Sequence, residues 1–141
     1  MDYLHHFKPY QDADIIHLHC PQGGYFDWKD LPQICKEKKV VMTMHDDWIV
    51  SGNDPENLFH PYKTKSQYLK RKSIFQKCNM TFIGVSNWIS QKVIKDGING
   101  DNPVKTIYNG VNTEIFYKKD KKQTREWLGL PQNKKIIISI A

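Results

Sequence analysis

Histidine and carboxylate side chains follow two apolar runs of this sequence and could carry out acid–base chemistry. His17 and His19 alternate along the first run, so both imidazoles would lie on one face of a β-strand. His45 ends the second run and is followed by Asp46 and Asp47. An imidazole beside a carboxylate can act as a general base, or donate a hydrogen bond to a sugar or a phosphate. The alternative is a structural histidine that is capped by the next turn.

The same side chains bear on metal binding. His17 and His19 could ligate a metal with His45 and Asp46, but no third ligand follows the histidine pair at a typical spacing. Two hydrogen-bonded histidines at a strand end are the alternative. The Asp46-Asp47 pair lacks the DxD spacing of a manganese-binding motif. We therefore predict no metal site.

Cysteine usage and short motifs narrow the chemistry further. Cys20, Cys35 and Cys78 are odd in number and have no paired spacing, which excludes a disulfide framework or a CxxC zinc site as the main theme. None of them has a marked histidine partner, so a cysteine nucleophile is disfavoured. The glycine-rich dinucleotide motif, Walker A, GxSxG and HExxH are absent. No motif therefore predicts a bound cofactor.

Five short apolar runs are the predicted strands that would position these residues. They lie at residues 14–19, 40–45, 80–85, 104–108 and 136–140. Helices are predicted between them at residues 30–38, 66–77, 86–95 and 123–128, and a long loop near the cleft at 51–64. The alternation predicts an α/β fold, a Rossmann-like doubly wound parallel sheet.

Polar residues also follow the third and fourth predicted strands. Ser86 comes directly after the third strand and is a suitable helix N-cap. Asn109 and Gly110 form a turn dipeptide after the fourth strand, either a plain turn or a backbone that approaches a ligand closely. Because ligands of parallel α/β sheets bind outside the carboxyl ends of the strands, these positions predict a cleft there.

Charge and composition limit the classes of partner. Hydrophobic residues make up 39% and charged residues 26%, which indicates a folded domain. The net charge is +6, with basic clusters at residues 63–77 and 118–125. These basic clusters are either solvated faces of the domain, or a surface that attracts phosphates or an anionic membrane. Nucleic acid is disfavoured as a partner because no recognised binding motif accompanies the charge. The sequence shows neither a signal peptide nor an apolar run long enough to span a bilayer, so we expect a cytoplasmic protein. Peripheral contact with the inner face of the cell membrane is compatible with this location.

The order of the segments resembles that of family 4 glycosyltransferases, which have the GT-B fold, and especially those of bacterial polysaccharide biosynthesis. Residues 13–19 resemble the family's "aDiiHlH" strand, and residues 40–48 its "vvwTlHDmWp" strand. The other matching segments are residues 23–24, 51–52, 84–89, 104–116, 128–131 and 134–138. Any one motif is weak, but their order along nearly the whole chain is a strong resemblance.

The resemblance implies a retaining hexosyltransferase that moves a sugar from a nucleotide-sugar to a lipid-linked or polysaccharide acceptor, without a catalytic metal or other cofactor. His45 would lie in the cleft as the catalytic residue and contact the donor sugar or the acceptor. Asn109 and Gly110 would lie at the inter-domain hinge. The expected substrate-binding residues are His19, Gly23, Gly24, Asp46, Ser86, Asn109 and Gly110.

The resemblance also predicts the domain organisation. Residues 1–117 would form most of the N-terminal, acceptor-side domain, and residues 118–141 the linker and the first strand of a C-terminal nucleotide-sugar domain that is otherwise missing. We therefore expect the chain to be a fragment with negligible transferase activity of its own. The alternative is a non-catalytic remnant or binding module.

Overall fold

The computed structural model describes residues 2–21, 26–51 and 61–139. The chain divides into two compact units, Met1–Asn109 and Gly110–Ala141. The predicted division between residues 117 and 118 concerns the domains of a two-domain enzyme and stays a prediction.

The first unit is built on a four-stranded parallel sheet. Its strands are β1 (Ile15–His19), β2 (Lys39–Met44), β3 (Met80–Gly84) and β4 (Val104–Thr106). They lie side by side in the order β1-β2-β3-β4. The predicted α/β fold with a Rossmann-like parallel sheet is confirmed.

Helices precede the first strand and connect the strands that follow. In chain order they are α1 (Asp2–His5), α2 (Lys8–Asp12), α3 (Leu31–Glu37, after a 3₁₀ turn at Trp28–Asp30), α4 (Trp48–Ser51), α5 (Pro61–Phe75) and α6 (Asn87–Asp96). Helix α3 contacts β2, and α6 contacts β3 and β4. Helix α4 contacts both α5 and α6, and α5 also contacts α3, so the helices form a connected layer on the sheet.

The core lies between these helices and one face of the sheet. Met42 of β2 and Phe82 of β3 are buried on that face, and the Phe82 ring meets Phe75 of α5 edge to face at 5.7 Å. Because side chains alternate along a strand, the intervening residues lie on the opposite face. There β1 is exposed, including His17 and Ile15, and Ile15 is 55% exposed. The histidines of β1 therefore lie on the face away from the core.

Helix α6 begins and ends at the residues that its sequence predicts. The Ser86 hydroxyl accepts a hydrogen bond from the Ile89 amide at 3.3 Å, and Gly97 ends the helix with a φ of +70°. Gly84, at the end of β3, has no room for a side chain. A Cβ there would overlap the Ser90 hydroxyl and lie 2.9 Å from the Ser90 amide nitrogen. Glycine thus lets α6 pack directly on the end of β3.

Two element predictions are wrong. No strand forms at residues 136–139, where Ile137 is 97% exposed. A β-strand needs a hydrogen-bonded neighbour, which an apolar run does not supply by itself. Helix α5 begins at Pro61 rather than at residue 66, so part of the predicted loop is helical. Residues 52–60 of that loop lie outside the described residues.

The second unit contains helix α7 (Lys121–Trp127), close to the predicted helix at 123–128. The Asp120 carboxylate caps it by accepting a hydrogen bond from the Gln123 amide at 2.8 Å. Arg125 donates hydrogen bonds to the carbonyls of three residues beyond the helix: Pro131, Gln132 and Lys134. No helix in the described parts of either unit is long and apolar enough to cross a bilayer.

Candidate functional site

Three histidine rings meet at the carboxyl ends of β1 and β2. His19 Nδ1 lies 2.9 Å from His45 Nε2, and the ring centroids of His17 and His19 are 4.1 Å apart. His17 Nε2 lies 2.8 Å from the Thr43 hydroxyl. The strand register explains the meeting, because His19 pairs with Thr43 and His45 follows two residues later on the same face.

The geometry favours uncharged rings. A hydrogen bond between two imidazoles needs one donor and one acceptor nitrogen, so at least one ring of the His19–His45 pair is neutral. Partial burial lowers the pKa of His17, and the neighbouring His19 and His45 lower it further. The cluster therefore offers neutral N–H and N groups, which suit hydroxyl groups as partners.

Asp46 and Asp47, which follow His45, stabilise the backbone around the start of α4. Asp46 accepts a hydrogen bond from the Trp48 amide at 2.9 Å, at the start of α4. The backbone carbonyl of Asp47 accepts from two amides of α4, and its carboxylate forms an ion pair with Lys92 of α6. Asp47 thus joins α4 to α6. The ring of His45 has a hydrogen bond with another imidazole, that of His19.

An aromatic-walled cavity opens beside His45. It has a volume of about 20 Å³, room for about one water molecule, and His45, Asp46 and Thr43 contribute polar groups to its lining. Trp28 and Trp48 form much of its wall, stacked with ring centroids 5.6 Å apart and planes 25° apart. A cavity of this size does not admit a sugar ring, so the exposed His45 and Asp46 of its lining, rather than the cavity itself, are the groups that a ligand could contact.

The sequence comparison decides the family. Residues 2–115 match the profile of Glycosyltransferase Family 4. The chain belongs to glycosyltransferase family 4. The family match includes all four strands and the histidine cluster, so the predicted family is confirmed. No curated protein matches the chain.

The predicted site residues of this family 4 chain that the structure describes fall into three groups. His19, His45 and Asp46 lie together at the carboxyl edge of β1 and β2. Ser86 lies at the end of β3, where its hydroxyl caps α6. Asn109 ends the first unit and Gly110 begins the second, and both are exposed. Gly23 and Gly24 lie outside the described residues. The roles of all these residues stay predictions.

Sequence reasoning missed the aromatic wall of the cavity in this family 4 chain. Trp48 follows the His45-Asp46-Asp47 segment directly, and this adjacency was the available signal. Trp28 lies far from that segment in sequence and reaches it only through the fold. Among the described residues, no group of three or more His, Cys, Asp or Glu side chains is arranged to hold a metal ion.

Proposed function

We propose that this family 4 chain forms the acceptor side of a glycosyltransferase of bacterial polysaccharide biosynthesis. The parent enzyme would transfer a sugar, with retention, from a nucleotide-sugar to a lipid-linked or polysaccharide acceptor. The observation that carries the proposal is the His19–His45 pair at the carboxyl ends of β1 and β2, within the family-matched residues.

The imidazole pair is suited to a hydroxyl ligand. His45 Nε2 and His19 Nδ1 face each other, so the outward nitrogens are His45 Nδ1 and His19 Nε2. When both rings are neutral, one outward nitrogen donates and the other accepts, and these roles exchange only when both rings change tautomer. A sugar or acceptor hydroxyl needs one donor and one acceptor. In this proposal His45 contacts the substrate and His19 holds the His45 ring in place.

The proposed division of labour assigns nucleotide-sugar binding to a C-terminal domain and gives the chain negligible transferase activity alone. The alternative remains a non-catalytic remnant or binding module with no transferase activity of its own. Turnover of nucleotide-hexoses by the purified chain at ordinary enzymatic rates, about 1–10³ s⁻¹, would contradict the assignment of negligible activity.

A membrane contact is part of the proposal for a lipid-linked acceptor. Among the described side chains of the first basic cluster, Arg71 is buried over the Trp48 ring and Lys72 pairs with Asp96. Lys70 and Lys77 remain exposed and would contribute the attraction to anionic lipids. Sedimentation with anionic and with neutral vesicles tests it, because only charge-dependent binding supports the proposal.

Histidine NMR tests the sugar site directly. The ¹⁵N-histidine chain is titrated with methyl glycosides of common hexoses, which carry hydroxyls but no phosphate. We expect the signals of His19 and His45 to shift and those of the exposed His6 to stay. His45→Ala should weaken binding by about ten-fold, the loss of one good hydrogen bond, whereas His6→Ala should not. Unchanged binding by a folded His45→Ala chain would refute the assignment of His45.

A further inference from the structure

One tryptophan of helix α6 is exposed at the edge of the sheet that carries the histidine cluster. Trp88 lies in the first turn of α6, which begins just after β3, and the residue is 62% exposed. The Val85 amide, between β3 and α6, donates a hydrogen bond to the carbonyl of Met44 at 3.4 Å. Because Met44 directly precedes His45, the start of α6 is adjacent to the backbone that carries His45.

A charged pair holds the Trp88 ring in position. The Lys92 ammonium lies over the ring, 4.7 Å from its centroid, and forms an ion pair with the Asp47 carboxylate. Asp47 follows His45 by two residues, so the indole, the ammonium and the carboxylate form a surface that leads from α6 to the His45 segment. A side chain that is held before binding loses less conformational freedom when a ligand arrives.

The surroundings of Trp88 on the helix surface are polar. Asn87 precedes it and Gln91 lies one turn later, and both are exposed. Ile94, the other exposed large hydrophobic residue of α6, lies six positions further along and therefore on a different face of the helix. A bilayer or a protein partner needs a contiguous apolar patch. A single aromatic ring among hydrogen-bonding groups instead matches a sugar ring, which has apolar C–H faces and a rim of hydroxyls.

We propose that Trp88 is a stacking platform for a sugar ring of the acceptor, next to the sugar whose hydroxyl contacts His45. The C–H face of that ring lies on the indole, and its hydroxyls reach the Lys92–Asp47 pair. The side chains of Lys92 and Asp47 are 37% and 31% exposed. An ammonium has three donors and a carboxylate about four acceptor positions, so both keep hydrogen-bonding capacity beyond their ion pair. The inference rests on the proposed function, because it extends the sugar site outward from the histidine pair.

Indole NMR of the full 141-residue chain tests the proposal. A ¹⁵N-labelled chain gives one indole signal for each of its four tryptophans, and Trp88→Phe identifies the signal of Trp88 by its loss. The probes are methyl glucoside and the methyl glycosides of cellobiose, maltose and lactose. We expect at least one disaccharide to shift the Trp88 signal and to bind more tightly than methyl glucoside does.

Three variants separate stacking on Trp88 from other effects. Trp88→Ala should weaken binding of that disaccharide by about five-fold, the loss of one aromatic contact, and leave binding of methyl glucoside unchanged. Trp88→Phe should retain part of the disaccharide affinity, because a smaller aromatic face remains. Trp127→Ala is the matched control, since Trp127 is 80% exposed and belongs to the second unit, and it should change neither affinity.

The outcomes distinguish this proposal from the proposed function. If glycosides shift the signals of His19 and His45 while the Trp88 signal stays and Trp88→Ala binds disaccharides normally, the platform is refuted and the sugar site at His45 stands. If neither the histidine signals nor the Trp88 signal move with any glycoside, both proposals fail. A Trp88 signal that moves only with anionic vesicles or with chain concentration would assign the ring to a lipid surface or a second copy, and would also refute the platform.

Discussion

Replacing Asn102 with alanine should destabilise the first unit strongly. Asn102 is 8% exposed, and its side chain joins three backbone segments. Its Oδ1 accepts from the Met80 amide at 2.9 Å, and its Nδ2 donates to the carbonyls of Phe75 at 3.2 Å and Asn99 at 2.8 Å. The side chain thereby fixes the start of β3 against the end of α5.

The magnitude follows from the groups that the substitution leaves without a partner. The bonds to Met80 and Phe75 are buried, and each buried group that loses its hydrogen bond costs about 1–3 kcal/mol. Asn102→Ala should therefore lower the free energy of unfolding by about 2–6 kcal/mol. A domain has about 5–15 kcal/mol in total, so the loss is a large fraction of its stability.

Urea unfolding followed by tryptophan fluorescence measures this change, because Trp28 and Trp48 pack in the first unit. Asn87→Ala is the matched control, since Asn87 is exposed on α6, and it should change the free energy by no more than about 0.5 kcal/mol. If Asn102→Ala costs under about 1 kcal/mol with an unchanged dependence on urea, the hydrogen-bond reasoning is wrong.

Three further predictions concern titration and backbone space. The pKa of His17 is lowered in the folded chain, whereas in the unfolded chain an imidazole binds its second proton near pH 6.5. As the pH drops below about 6.5, the unfolded chain therefore binds this proton before the folded chain does. The free energy of unfolding should fall over that pH range. The urea midpoint at pH 7 and at pH 5.5 checks this, and His17→Gln should reduce the difference between them. Gly84→Ala should lower the melting temperature, whereas Gly110→Ala should not, because a Cβ at Gly110 meets nothing within 4 Å; equal effects would contradict the steric argument. Burial raises the pKa of Tyr10 and of Tyr68 to about 12, with hydrogen bonds to carboxylates adding to the shift. Ultraviolet titration should find two tyrosines that ionise near pH 12, and Tyr10→Phe should remove one of them.

Composition and capping residues along the chain predicted those strands and helices whose formation depends on neighbouring residues in the sequence. The four apolar runs of the sheet are rich in β-branched residues and fall within a residue or two of the observed strands. Helix α6 was predictable because Ser86 caps it and Gly97 ends it. The run at residues 136–140 has the same composition, but strand formation depends on a neighbour that composition does not reveal. The start of α5 was missed because residues 61–65 show no apolar period.

The candidate site was predictable as separate residues but not as a pair. His19 and His45 were each identified from their position at the end of an apolar run. Their hydrogen bond, however, arises from the register between β1 and β2, in which His19 lies opposite Thr43. Register is set by which face each strand buries, and sequence patterns constrain it only loosely.

Because the register of β1 depends on the face that the strand buries, the geometry of the histidine pair depends on the packing of the core. Ile16 and Leu18 of β1 pack against the core, while His17 and His19 lie on the other face. A slip of one residue would turn both histidines toward the helices and place Ile16 and Leu18 on the open face. Burying two imidazoles in place of two aliphatic side chains would cost several kcal/mol, so the packing of the core holds the His19–His45 pair in place. The open face can carry histidines, with their modest contribution to stability, because the opposite face of the same strand fixes their position.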